Sequence, residues 1–416
     1  MKVFLKTYGC RANHYDTEAV RGMLAQAGVE EVEDATEADF AVFNSCSVTS
    51  AAESDLRAGV RHAARVNPSI RTIVMGCASG VAHRDESRTP LATLPSVESL
   101  VVGGDVAAVG SALGVSITGT RAPSVQTGAR ALLRIQDGCD EHCTFCVTTN
   151  ARGENRSRGA DEIVDEAKRL SETHPEIVVT GIHIGSYGND TGSSLGELLE
   201  RLVNETDSVR YRLTSIEATE VDTRLAELLT GDSSRVAPHL HAPLQSGSDR
   251  VLKRMGRHWY SANTYAEAVT QLIGDREVFA LSGDVICGFP GETDDDHRAT
   301  VDLVRSLPFT ALHVFPYSPR PGTAALRLTG TVPQNVASRR AAELRAIASE
   351  KSAGYAARQN GRKADVVAVG RGTGLTEDYL SVAISDNRIA RRERFSATLK
   401  LDGDCLTATP ASQAPE

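Results

Sequence analysis

Three cysteines within eight residues, Cys139-Asp-Glu-His-Cys143-Thr-Phe-Cys146, constrain this chain more than any other feature. Thiolates are soft, anionic ligands. At x3 and x2 spacing in one loop they can wrap three corners of a cubane iron–sulfur cluster. Complete ligation takes a fourth cysteine, and none is nearby. An iron with an open corner can bind a small molecule, so such a cluster could be catalytic instead of merely carrying electrons. The competing readings are three small buried cysteines or a zinc site. Structural zinc takes four ligands, and His142 sits awkwardly inside the spacing.

The rest of the composition narrows the setting. Eight cysteines in 416 residues are too few for a disulfide scaffold. The start, MKVFLKTYGCRAN, lacks the roughly 7–15 apolar residues of an export signal. No run approaches the roughly 18 apolar residues of a membrane span. A cytoplasmic protein with no membrane partner is therefore expected. The net charge of -9 excludes a chain basic throughout but leaves room for a local basic patch.

The pattern along the chain predicts an α/β fold in three parts. Residues 1–115 alternate strands (Val3–Tyr8, Phe40–Asn44, Thr72–Met75) with helices (Asp16–Ala27, Ala51–Val66), as a parallel sheet would. Asp16 or Thr17 is expected near the first helix cap. Residues 116–128 read as a linker. Residues 129–335 hold six strand candidates, LLRIQ, EIVVTGI, YRLTSI, HLHAPL, ALSGDVICGF and ALHVFPY, and so predict a full or partial β/α barrel. Residues 336–416 begin with a basic helix and continue as a small all-β module, ending in a frayed TPASQAPE tail. Residues 339–400 carry 13 Lys/Arg against 7 Asp/Glu, so the module is locally basic.

A second cysteine set emerges from this organisation. Cys10, Cys46 and Cys77 each follow a predicted strand: FLKTYGC, AVFNSC and TIVMGC. Parallel strands place their C-terminal ends on one edge, so three thiolates would converge there. The competing reading is three unrelated buried cysteines. Cys287 lies inside an apolar strand and reads as a core residue, and Cys405 has no assigned role.

The CxxxCxxC loop, with Phe145 before its last cysteine and the first barrel strand before it, resembles the radical S-adenosylmethionine (SAM) superfamily. Asp284-Val-Ile-Cys-Gly-Phe-Pro-Gly-Glu292 is similar to its adenine-contact motif, and Ser215-Ile-Glu217 to a ribose and methionine contact. With the N-terminal three-cysteine sheet and the terminal β-module, nearly the whole chain resembles the methylthiotransferases. Gly9–Glu18, Asn44–Thr49, Gln136–Cys139, Arg152–Ser157, Pro243–Asp249 and Tyr317–Thr323 carry the likeness. Cys46-Ser-Val-Thr49 and Thr180–Gly188 are most similar to the branch acting on threonylcarbamoyladenosine in tRNA. Two positions depart from the family pattern: Thr149 stands where Pro is common, and Cys77 precedes Ala-Ser-Gly.

The resemblance implies two [4Fe-4S] clusters, each held by three cysteines, Cys139/Cys143/Cys146 and Cys10/Cys46/Cys77. It implies cleavage of SAM to a deoxyadenosyl radical at the first and delivery of methylated sulfur from the second. The target, carbon 2 of adenine, has no acidic proton, so acid–base catalysis alone cannot open its C–H bond. Candidate SAM contacts are Phe145, Thr180, Gly181, Ser215, Glu217, Gln245 and Gly288. Candidate RNA contacts are Arg152, Arg156 and Arg158 after the cluster loop, and Arg388, Arg391, Arg392 and Arg394 on the terminal module, which resembles an RNA-binding TRAM domain. His183, His239 and His241 follow or sit on strands and would line the cavity or pack at its rim; Trp259 and Tyr260 would stack a base or pack between helices. The resemblance further implies tRNA as partner, a flavodoxin-type or other low-potential electron donor, and a monomer. Alternative substrates are isopentenyladenosine in tRNA or an Asp of a ribosomal protein. An alternative class is a two-cluster electron-transfer or redox-sensing protein.

Overall fold

The computed structural model describes residues 1–47, 50–84, 91–115 and 125–411. Val48 and Thr49 of the Cys46–Thr49 motif, residues 116–124 of the expected linker and residues 412–416 of the expected tail lie outside the described residues.

The N-terminal strands are β1 (Lys2–Tyr8), β2 (Glu30–Val32), β3 (Phe40–Ser45), β4 (Arg71–Gly76) and β5 (Val97–Val102). They form a parallel sheet in the order β2-β1-β3-β4-β5. Helices α1 (Arg11–Gln26), α2 (Ser50–Val66), α3 (Cys77–Arg84) and α4 (Val106–Leu113) accompany it. Strand β3 is central and buried at every residue, so it reads as a continuous run and not as an alternation. Ala41 and Phe43 pack with Leu56 and Val60 of α2. Phe40 and Val42 pack on the other face with Val20 and Met23 of α1 and Val109 of α4.

Helix α1 corrects one expectation. It starts at Arg11, so Asp16 and Thr17 lie within it instead of capping it, and Asp16 is fully buried. Its first turns bury Asn13, Asp16, Thr17 and Glu18, which leave no apolar stripe for a periodicity argument to find.

The central part contains β6 (Ala131–Arg134), a two-residue antiparallel pair β7 (Gln136–Asp137) and β8 (Arg156–Ser157) that closes the base of the cysteine loop, then β9 (Glu176–Thr180), β10 (Arg210–Leu213), β11 (His239–His241), β12 (Ala280–Cys287) and β13 (Phe309–Pro316). LLRIQ is therefore two strands and not one. Sheets β10-β9-β6 and β11-β12-β13 are joined by the parallel bridges Tyr211–Val236 and Ser215–His241. The result is a partial β/α barrel whose six staves follow chain order. After the short α5 (Thr148–Arg152) come helices α6 (Ala160–Ser171), α7 (Leu195–Glu205), α8 (Thr223–Thr230), α9 (Asp249–Arg254), α10 (Ala262–Ile273) and α11 (Asp294–Ser306). The core combines strand residues such as Val179, Leu213 and Leu281 with Leu170 of α6, Leu199 of α7 and Val269 of α10.

The long α12 (Gln334–Arg358) leads from β13 to a closed five-stranded barrel, β14-β15-β16-β18-β17. Its strands are β14 (Lys363–Gly370), β15 (Thr373–Thr376), β16 (Ser381–Ile384), β17 (Arg394–Asp402) and β18 (Cys405–Pro410). Strands β15 and β18 escape a sequence reading because each holds one Leu among Thr, Gly or Ala and so shows no apolar alternation. Thr409 and Pro410, expected to fray, pair with Thr398 and Ala397.

A buried ionic cluster fastens this barrel to the central domain. Glu176 accepts from Arg210 at 2.6 Å and Arg212 at 2.8 Å, all three being inaccessible to solvent. Arg212 then donates to Thr376 O, and Arg210 to Asp365. Burial opposes ionisation of Glu176, yet Arg212 and Arg210 hold its carboxyl well below the usual range.

Candidate active site

Register brings the second cysteine set together. Tyr8 pairs with Ser45 and Ser45 with Gly76, so the ends of β1, β3 and β4 form one row. Cys10, Cys46 and Cys77 follow that row by at most two residues. Below them Asn13 Nδ2 donates to Asn44 Oδ1 at 2.8 Å, and Asn13 Oδ1 lies 3.3 Å from Cys10 Sγ. Cys46 and Cys77 are buried and Cys10 is exposed.

The other set is fixed by backbone contacts. Cys139 N donates to Gly153 O at 3.0 Å and Cys146 N to Cys143 O at 3.0 Å, while Thr144 N donates to Met255 O at 2.8 Å. Gly138 has φ +75°, and a Cβ there would strike Glu154 O, so glycine is required where the loop turns.

Short helices pull the two sets toward each other. Helix α3 starts at Cys77, and α5 begins two residues after Cys146. Cys77, Val81, Val147 and Ala151 form one apolar cluster between them. A Cβ at Gly80 would meet the carbonyl oxygen of Ala151, so the Ala-Ser-Gly departure after Cys77 is what lets α3 approach α5.

Buried arginines stand beside both sets. Arg152 Nε donates to Cys77 Sγ at 3.3 Å, and the same guanidinium reaches Asp16 at 2.7 Å and Asp137 at 3.2 Å. Arg134 adds a bond to Asp16 at 2.5 Å. Arg257 Nη1 donates to Cys143 Sγ at 3.5 Å, pairs with Glu217 and donates to Tyr260 Oη at 2.9 Å.

These surroundings suit metal-bound thiolates. Burial pushes the Cys143 thiol up to about 12, with Arg257 opposing it. Burial likewise raises Cys146 and Cys77, the latter against Arg152. Left free, these groups keep their protons; a bound metal replaces the proton and makes the thiolate. His183 lies 4.0 Å from Cys139 Sγ and 2.8 Å from Glu220. Burial works against its charged form, but Cys139 and Glu220 lift its pKa to about 10.

Two family models match the chain. One is described as uncharacterized protein family UPF0004 and matches residues 2–102; the other is the radical SAM superfamily, matching residues 133–304. The threonylcarbamoyladenosine tRNA methylthiotransferase MtaB of Bacillus subtilis is 34% identical over 406 residues, covering 92% of this chain and 88% of its own length. The protein of the same name from Thermotoga maritima is 32% identical over 402 residues, covering 93% and 92%. The chain belongs to the radical SAM methylthiotransferase family. Membership implies SAM and a [4Fe-4S] cluster. Among solved structures, the radical SAM methyltransferase TsrM from Kitasatospora setae with cobalamin and [4Fe-4S] cluster bound shares the fold. Its TM-score is 0.57 at 14% identity, over 78% of this chain and 73% of that one.

Within this methylthiotransferase, the expected SAM contacts scatter in role. Thr180 ends β9, and a Cβ on Gly181 would come within 2.9 Å of Gln136 O. Gln136 Oε1 in turn accepts from Ile182 N and His183 N, pinning that loop. Ser215 bridges to His241, and Gln245 holds a left-handed φ of +61° beside Val285. The Glu217 carboxylate is engaged by Arg257. Phe145 packs edge-on against Phe289, and Gly288 abuts Ala337 of α12.

The arginines need more correction. Arg152 is buried among Asp16, Asp137 and Cys77 and presents nothing to a phosphate. Arg158 is engaged by Glu162 and Glu166. Arg391 donates to Thr127 O at 2.6 Å, Arg392 to Gln126 O, and Arg394 to Asp365, Ser208 O and Ser234 O. These three hold the terminal barrel against the rest of the chain. Arg388 pairs with Asp386 in its own loop and is otherwise exposed. Arg156 is exposed and lines a cleft of about 450 Å³ with Arg134, Arg158 and Gly104 between the N-terminal and central domains.

Other expectations divide. Tyr260 is buried, donating to Leu244 O at 2.8 Å, so it packs and does not stack a base. His239 is buried against Tyr379, and burial with Arg212 nearby keeps its pKa well below the ordinary value. His241 is half-buried and pairs with Ser282 at 2.9 Å and Asp284 at 3.1 Å. Cys287 is a core residue of β12. Asp16, Asp137 and Arg257 were missed; their pairings span up to 136 residues and leave no local motif.

Proposed function

We propose that this chain inserts a methylthio group at carbon 2 of N6-threonylcarbamoyladenosine in tRNA, using SAM and two iron–sulfur clusters. The observation that carries this reading is the convergence of two three-cysteine sets through the α3–α5 contact. The curated relatives at 31–34% identity carry the substrate assignment. Cys139, Cys143 and Cys146 hold the SAM cluster, and Cys10, Cys46 and Cys77 hold the second. When bound, the clusters supply the electron that cleaves SAM and the sulfur that is transferred.

The chain's own residues position and exclude. Gly80 and the Arg152–Asp16 pair bring the two loops close, because a transferred atom must be held near its target carbon. Gln136 fixes the loop after β9 at the barrel mouth. Arg156, exposed in the cleft between the N-terminal and central domains, contacts an RNA phosphate while the target base is splayed out. A low-potential, flavodoxin-type donor supplies electrons, and the protein works as a cytoplasmic monomer.

The test is the reconstituted chain with SAM, a low-potential reductant and two tRNAs, one bearing threonylcarbamoyladenosine and one isopentenyladenosine. Methylthio product on the first alone supports the reading. Product on the second alone keeps the family and moves the branch. SAM cleavage with product on neither redirects the search to a ribosomal protein.

Gly80→Val should separate α3 from α5. Overpacking of this kind costs about 1–3 kcal/mol. Methylthio product should fall more than 5′-deoxyadenosine formation, and single-turnover product analysis checks the ratio.

A further inference from the structure

We propose that Arg152 is a positioning residue that raises the reduction potential of the cluster held by Cys10, Cys46 and Cys77. This rests on the second cluster assigned above. The guanidinium is fully enclosed, its Nε donates to Cys77 Sγ at 3.3 Å, and two carboxylates, Asp16 and Asp137, brace its other nitrogens. With Arg134 on Asp16, two positive and two negative side chains balance beside the sulfur.

Reduction adds one electron to a cluster that thiolates already make anionic. An N–H···S bond and a positive charge both favour the reduced form, and burial strengthens both effects. Without Arg152 the sulfur loses its donor and faces an excess of negative charge. Arg152 also ends α5, which follows the loop of Cys139, Cys143 and Cys146. One side chain of the helix that follows the radical site's loop therefore shapes the electrostatics of the other site. Arg257 stands in the same relation to Cys143, with Glu217 as its brace.

The experiment uses the full-length chain with Cys139, Cys143 and Cys146 changed to Ala, so that only the N-terminal cluster is loaded. Its midpoint potential is measured by EPR-monitored redox titration with Arg152 present, with Arg152→Gln and with Arg152→Lys. Arg152→Gln should make reduction at least tenfold less favourable, a shift of about 59 mV to more negative potential for one electron. Arg152→Lys, which keeps the charge, should shift it less. Removing Arg152 strips the buried Asp16 of one of its two arginine partners, so a second measurement on the unsubstituted arginine covers a variant that fails to fold. A chain with ¹⁵N-labelled arginine then gives the answer: the reduced cluster should show a weak nitrogen hyperfine coupling. An unmoved midpoint in a variant with full iron content, or no arginine coupling, would overturn the role of Arg152. A triple-Ala chain that binds no iron would overturn the second cluster itself.

Discussion

A chain carrying Cys10→Ala is expected to keep cleaving SAM under reduction while its methylthio product falls by at least about 100-fold, the upper end of what disrupting a metal site's support costs. Cys10 is exposed at the N-terminal end of α1, and its side chain caps nothing there. Its loss therefore costs the fold little. The loop of Cys139, Cys143 and Cys146 is fixed by its own hydrogen bonds to Gly153, Met255 and Arg257. The two half-reactions should thus separate: 5′-deoxyadenosine is retained and product is lost. Cys143→Ala should abolish both. Quantifying 5′-deoxyadenosine and methylthio nucleoside in the same samples distinguishes the variants. Equal loss of both in Cys10→Ala would mean that the N-terminal set is needed for SAM cleavage.

Glu176→Ala should lower stability by about 3–5 kcal/mol, the usual cost of stranding buried charges. Glu176 is the shared counter-charge of Arg210 and Arg212, with Arg130 at 3.2 Å as a third partner. Arg210 Nη2 and Arg212 Nη1 already lack acceptors, so no spare oxygen replaces the lost one. Because both arginines continue to Asp365 and Thr376, the terminal barrel should loosen first. Limited proteolysis should release that module before the central domain is cut, and urea titration should show an earlier transition. The pH dependence follows from the sign of the shift. A carboxyl held below its unfolded value stabilises at neutral pH, and the contribution disappears as pH falls through the depressed value. Glu176→Ala should therefore flatten the acid limb of the stability profile. A variant as stable as the parent would show that the arginines are solvated by other means.

The parts legible in sequence are those encoded locally. The eight-residue cysteine loop is one such unit. The alternation of short apolar stretches and helices gave all six barrel strand regions: β6, β9 and β12 carry runs or alternations of Leu, Ile and Val, while β10 and β11 are read mainly from their spacing between helical segments. The three N-terminal cysteines were readable because a parallel sheet converts strand ends into neighbours. Side-chain allegiance was not readable. Arg152, Arg391, Arg392 and Arg394 look like surface cations in sequence, but carboxylates and carbonyls far along the chain engage them. Asp16 looked like a helix cap because the polar face of α1 is buried against Arg134 and Arg152 and not exposed. Strand β18 was hidden because its ladder partner, β17, and not its own Thr-rich composition, makes it a strand.

The most direct measurement is mass spectrometry of nucleosides from tRNA of cells lacking this gene, complemented by the parent chain or by Cys10→Ala. Restoration of the methylthio mark on threonylcarbamoyladenosine by the parent alone is the predicted result. A mark that persists in the deleted cells, or that Cys10→Ala restores in full, would contradict it.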